Sequence, residues 1–203
     1  IGVSTCFGFD PGLLGCLGPA AIITCIGKEL ICKRWALSFD PNDITGPEGF
    51  GDERWVARQQ TLPYTIRFQN DSVKAMVPAR RVTISQQLDT TADLRSLRLG
   101  SFGFNNRVFS VPDNISTYND RLDLRDSMGI FVDVTGGVDI VNGRIFWTFN
   151  SVDPVTGDAP ADPFAGFLPV DDSTGRGNGF VNYTVRPNPT AKTRDTIHAQ
   201  AEI

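Results

Sequence analysis

The stretch "GIFVDVTGGVDIVNGRIFWTFNSV", residues 129–152, decides how this chain is read. Apolar and polar positions alternate through it, and Asn142-Gly143 stands between two such runs. Asn-Gly is a frequent hairpin turn, so the pair predicts a β-hairpin. In its second arm Ile145, Trp147 and Phe149 recur at period two and form one apolar face.

Working outward, the same period returns. "PYTIRFQN" (63–70) sets Tyr64, Ile66 and Phe68 against Thr65, Arg67 and Gln69. "RRVTISQQL" (80–88) sets Val82 and Ile84 against Thr83 and Ser85, and "GFVNYTVRP" (179–187) sets Val181, Tyr183 and Val185 against Asn182, Thr184 and Arg186. The closing "DTIHAQAEI" places Ile197, Ala199, Ala201 and Ile203 on one face. Short strands joined by turn-rich connectors predict an all-β, antiparallel β-sandwich. The 20 glycines and 13 prolines agree, since together they exceed the ordinary share of roughly 12 %.

Residues 1–38 differ. They hold all four cysteines, Cys6, Cys16, Cys25 and Cys32, spaced by nine, eight and six residues. Zinc modules bring cysteines closer in sequence, so two local disulfides in an oxidising compartment are expected. "GPAAIITCIGKELICKRW" is read as a helix, which would hold Cys25 and Cys32 about 10 Å apart along its axis. Each would then bond Cys6 or Cys16. The division expected is a cysteine-bearing cap at 1–38, a Pro/Gly-rich joint at 39–61, and the sandwich at 62–203.

Composition narrows the partners. A net charge of −4 and a pI near 5.0, with no basic cluster, speak against nucleic acid. The longest apolar stretch, "LLGCLGPAAIITCI" (13–26), is fourteen residues, short of the 18 or so that span a membrane. The chain starts at Ile1 without Met and stops within an alternating pattern, as a piece of something longer would.

Catalytic parts are few. The single histidine, His198, has no fixed acid near it in sequence, and neither a G-x-S-x-G elbow nor an H-E-x-x-H pair occurs. Aspartates suffice for a glycosidase-type carboxylate pair, but spacing selects no two of them. Calcium fits the composition better. "FDPNDITGPEGFG" (39–51) offers Asp40, Asn42 and Asp43, and the long acidic loop 151–179 offers Asp153, Asp158 and Asp162. The first stretch departs from the EF-hand template at Ile44, Thr45 and Gly51, which leaves a non-EF site or a plain Asx turn. A loop of nearly thirty residues is expected to be functional or organised by a ligand. Three N-x-[ST] sequons, at Asn70, Asn114 and Asn182, are candidate acceptors of N-linked glycans, each on a polar face or at a strand end.

The run "LPYTIRFQNDSVKAMVPARRVTISQQLDTTADLRSLRLGSFGF" resembles repeat domains of unknown function found in tandem on large bacterial surface proteins. Their pattern Y-T-I-x-φ-x-N, then A-x-x-V-x-φ-x-x-x-L-D, is carried by Tyr64, Thr65, Ile66, Phe68 and Asn70, followed by Ala79, Val82, Ile84, Leu88 and Asp89. The closing pattern is similar at Gly179, Val181, Tyr183, Val185, Pro187, Ala201 and Ile203. The resemblance spans about residues 39–203 and implies an immunoglobulin-like sandwich in an extracellular, adhesive or structural protein. It implies no catalytic residue. Such domains often continue with another strand, so an open edge here would accept a strand from a second copy, or its residues 1–38, head to tail. The function expected is a non-enzymatic subunit of a surface filament or stalk. The alternative is a carbohydrate-binding adhesin module, with Trp55, Phe146 and Phe180 as the outward aromatic candidates.

Overall fold

A computed structural model describes the backbone of Ala21–Ile26 and Glu29–Arg34 and, in full, residues 43–203. By contact the chain divides into two compact units, Ile1–Leu37 and Ser38–Ile203.

In the first unit, β1 (Ala21–Ile26) and β2 (Glu29–Arg34) form an antiparallel hairpin. This corrects the helix expected over "GPAAIITCIGKELICKRW". The residues explain the difference: Ile22, Ile23, Thr24, Ile26 and Ile31 are β-branched and favour extended backbone, and Gly27 interrupts any helix. Cys32 stands opposite Ile23, two residues along from Cys25, so the axial separation that kept these two cysteines from each other does not apply. Cys6 and Cys16, and the pairing of all four, lie outside the described residues.

The second unit is a sandwich of two antiparallel sheets. One has the order β12-β5-β10-β9-β8, from Ala201–Glu202, Arg81–Gln87, Arg144–Val152, Ile130–Asp139 and Thr117–Leu124. The other has the order β3-β4-β11-β6-β7, from Asp43–Thr45, Leu62–Gln69, Asn178–Pro187, Ala92–Phe104 and Arg107–Phe109. A single helical turn, α1 (Arg125–Met128), joins β8 to β9 and ends at Gly129 with φ 70°.

Alternation places the core. Leu62, Tyr64, Ile66 and Phe68 of β4 are buried, as are Val181, Tyr183 and Val185 of β11. Ile145, Trp147 and Phe149 of β10 face them from the other sheet. The seam is aromatic: Phe102 of β6 lies 5.4 Å from Trp147 and 5.7 Å from Phe149, ring centre to ring centre. Tyr64 and Tyr183 stack at 5.1 Å, and the Tyr183 hydroxyl crosses the seam to donate to Gln86 Oε1 at 2.7 Å. Deep burial raises the Tyr183 pKa well above its ordinary value, so the phenol stays neutral and keeps this bond.

Three expectations change here. The last strand shrinks to Ala201–Glu202, with Ile197 and Ala199 half-buried beside the core outside any strand. Part of the expected joint is sheet edge, because Asp43–Thr45 pairs with Arg67–Thr65 of β4. The thirteen-residue β6 and the polar edge strand β8 complete the sheets where no strand was anticipated.

Candidate functional site

The acidic loop holds itself together. Phe167 and Leu168 are fully buried, and Leu168 exchanges main-chain hydrogen bonds with Ala79 at 2.8 and 3.3 Å. The Phe167 N–H donates to Ser151 Oγ at 3.1 Å. These anchors fix the middle of the loop in the core, so its length needs no ligand to explain its order.

Its carboxylates are occupied with turns. Asp153 Oδ1 accepts the N–H groups of Val155 and Thr156 at 2.7 and 3.1 Å, and Asp162 Oδ1 accepts that of Phe164 at 2.9 Å. Asp158 meets Asp153 only through the backbone, its carbonyl accepting the Asp153 N–H at 2.8 Å. Asp172 is claimed by Thr174 and Arg176, whose hydrogen bonds hold its pKa far below the usual carboxylate range. Asp43, on β3, faces Arg67 at 3.4 Å, while Asp40 and Asn42 lie outside the described residues. Among the described residues no three His, Cys, Asp or Glu side chains gather closely enough to hold a metal ion.

The sequons separate. Asn70 is 1 % exposed, and its amide nitrogen donates to Val77 O at 3.0 Å and Leu168 O at 3.1 Å. That nitrogen has neither the freedom nor the space for a sugar, which corrects the reading of Asn70 as a glycan acceptor. Asn182 sits half-buried on the outer face of its sheet, accepting from Thr65 Oγ1 at 2.7 Å and donating to Ser101 Oγ at 3.1 Å. Asn114 is exposed, with a left-handed backbone at φ 63°. His198 is exposed too, and its backbone N–H donates to Asp89 Oδ2 at 3.0 Å.

What sequence spacing did not reveal is a groove in the second unit. Its walls are the segment 44–58 and the segment 187–199, over a floor that includes Leu62 and Tyr64, and its volume is about 1630 Å³. On the first wall Phe50 and Trp55 exchange two main-chain hydrogen bonds of 2.9 Å, which closes a small hairpin. Trp55 is 45 % exposed in that groove. The other aromatic candidates, Phe146 and Phe180, are half-buried against Gly137 and Gly103. Arg54 and Arg58 line the same wall as Trp55, and Lys192 and Arg194 line the opposite one. These cations stand well over a hundred positions apart in sequence, so no local pattern could join them.

A second feature is the outer edge of β5. The Ser151 N–H donates to Arg80 O at 2.7 Å and the Leu88 N–H to Gly143 O at 3.0 Å. By antiparallel alternation the even-numbered residues of β5 therefore bond to β10, and the odd-numbered ones turn their N–H and C=O groups away from it. On that side β12 opposes only Gln86 and Ser85. The main-chain groups of Thr83 and Arg81 have no strand beside them among the described residues.

The sandwich thus defines an all-β domain of two antiparallel sheets with a lined groove. The model of a domain of unknown function, DUF7619, matches residues 40–130. The match runs from the edge of β3 to the first residue of β9, and the central strands β10 and β11 follow it. No curated protein and no solved structure matches the chain.

Proposed function

We propose that this chain is a non-enzymatic, extracellular structural subunit of a surface filament or stalk, its sandwich of the immunoglobulin-like kind. Copies join head to tail by adding a strand to β5, or by docking of the N-terminal segment 1–38. The observation that carries this reading is the place of β5 beside β12, which opposes Gln86 and Ser85; another strand, from this chain or from a second copy, would lie beside Thr83 and Arg81. The incoming strand would run antiparallel to β5, in line with β12. Four cysteines in the first 32 residues support an oxidising, extracellular setting. Exposed Asn114 is the sequon best placed to carry a glycan there.

Thr83→Pro tests the joint. The Thr83 N–H faces away from β10, so proline removes a donor only from the free edge, where proline is tolerated. The full chain should form elongated oligomers by light scattering and negative-stain imaging, and the variant should stay monomeric at an unchanged melting temperature. A wild-type chain that remains monomeric at high concentration ends the filament reading. Assembly that survives the substitution moves the joint to the N-terminal segment.

One observation favours the second reading, a carbohydrate-binding adhesin module of a larger surface protein. It is Trp55, held half-exposed in a groove large enough for a sugar chain.

A further inference from the structure

We propose that the groove between segments 44–58 and 187–199 binds an anionic glycan, with Trp55 as the stacking platform. Arg54, Arg58, Lys192 and Arg194 then pair with the acidic groups of the sugar. This rests on the groove being a carbohydrate site and adds the charge class of its ligand.

The charge inventory carries the argument. None of the four cationic side chains has a hydrogen bond or ion pair with another described residue, although four aspartates elsewhere on the domain are ion-paired with arginine. The anions of the groove are Glu48, Glu53 and Asp195. Asp195 is committed to its own turn, accepting the Lys192 N–H at 2.7 Å. Four unengaged cations therefore stand against three carboxylates, a lining that is positive by one charge on a chain whose net charge is −4. A groove of opposite sign to its own protein selects an anion.

Backbone conformation points the same way. Arg54 has φ 55° and Arg194 has φ 81°, left-handed values that glycine or asparagine adopts at lower cost. At both positions, one on each wall, the chain carries arginine instead. Local stability alone would favour another residue at both positions, which agrees with a role for the guanidinium groups in the groove.

The lining favours a sugar chain over a peptide strand. Pro47, Pro187 and Pro189 line it without N–H donors, and the strand edge beside it, β3, is three residues long. What remains is an indole face, an apolar floor and long cationic side chains. Arginine pairs with carboxylate or sulfate through two parallel hydrogen bonds, which suits acidic substituents along a glycan.

Calorimetry on the full chain, with uronic-acid oligosaccharides, neutral oligosaccharides of equal length and polyglutamate as probes, tests this. The acidic sugar should bind about tenfold or more tighter than the neutral one, since each charge-assisted hydrogen bond contributes about that factor. Arg54→Gly with Arg194→Gly should erase that preference without lowering the melting temperature, and Arg54→Lys should restore part of it. Trp55→Ala should weaken both sugars alike. Equal binding of the two sugars overturns the charge inference and leaves the carbohydrate groove standing. No binding of either sugar overturns both. Polyglutamate binding as tightly as the acidic sugar overturns the glycan assignment.

Discussion

Asn70 closes the Y-T-I-x-φ-x-N run, and its surroundings give that position a physical reason. Its N–H donates to Gly177 O and its carbonyl accepts from the Asp171 N–H, at 2.9 and 2.8 Å, while its amide holds Val77 and Leu168. One side chain thus ties the 70–79 turn to the acidic loop. Asn70→Ala leaves the Val77 carbonyl without its donor and takes one of two donors from Leu168 O, and should cost about 1–3 kcal/mol, read from urea unfolding. In a glycosylating host, mass mapping should find Asn70 unmodified and Asn114 occupied. Gly136 is a second such position. It stands opposite Trp147 across the β9–β10 ladder, and a Cβ there would lie 2.6 Å from Trp147 Cε3. Gly136→Ala should destabilise the domain by about 1–3 kcal/mol through overpacking, seen as a lower denaturation midpoint with an unchanged slope. Neither role is visible in the letters, because a sequon and a Gly-Gly pair read the same whether buried or exposed.

Among the elements, those with one buried face were legible and those without were not. β4, β5, β10 and β11 alternate cleanly and lie where period two predicts. β8 is an edge strand bearing Asn119, Asp120, Arg121 and Asp123, and such edges shed the apolar period that would reveal them. β6 packs Leu97, Leu99, Phe102 and Phe104 into the core, but bulges shift its register between Leu99 and Phe102, which breaks the alternation. The segment 188–200 lacks strand structure and is held by Asp89, which accepts from the Thr91 N–H, the Thr91 hydroxyl and the His198 N–H at 2.9, 2.8 and 3.0 Å. Burial pushes the Asp89 carboxyl up, but the bonds from Thr91 and His198 outweigh it, so its pKa lies below the ordinary value. A carboxyl lowered in the fold stabilises the fold above its unfolded pKa, and that stability is lost as pH falls through the folded value. Asp89→Ala should therefore cost about 1–2 kcal/mol at neutral pH, and the gap to wild type should narrow as pH falls below the ordinary carboxylate pKa of about 4. Melting curves above and below that pH check it, and a gap that persists in acid assigns the loss to packing.

For the whole molecule, apolar residues at period two, with Asn-Gly and many other turn residues, were enough to dictate an antiparallel β-sandwich. Burying a face of every strand leaves few other arrangements, and this depends on local order alone. The sequence also carried Trp55 as an outward aromatic. Which carboxylates come near one another was decided only by the tertiary structure, and among the described residues no three gather. Asp153, Asp162 and Asp172 each give one oxygen to N–H groups two or three residues ahead, which is local turn geometry. The groove was decided by the tertiary structure as well. Its walls come from segments well over a hundred residues apart, brought together because β3 and β4 lie in the same sheet as β11. Periodicity records which way a side chain points from its own strand; which distant side chain it meets depends on how the two sheets close.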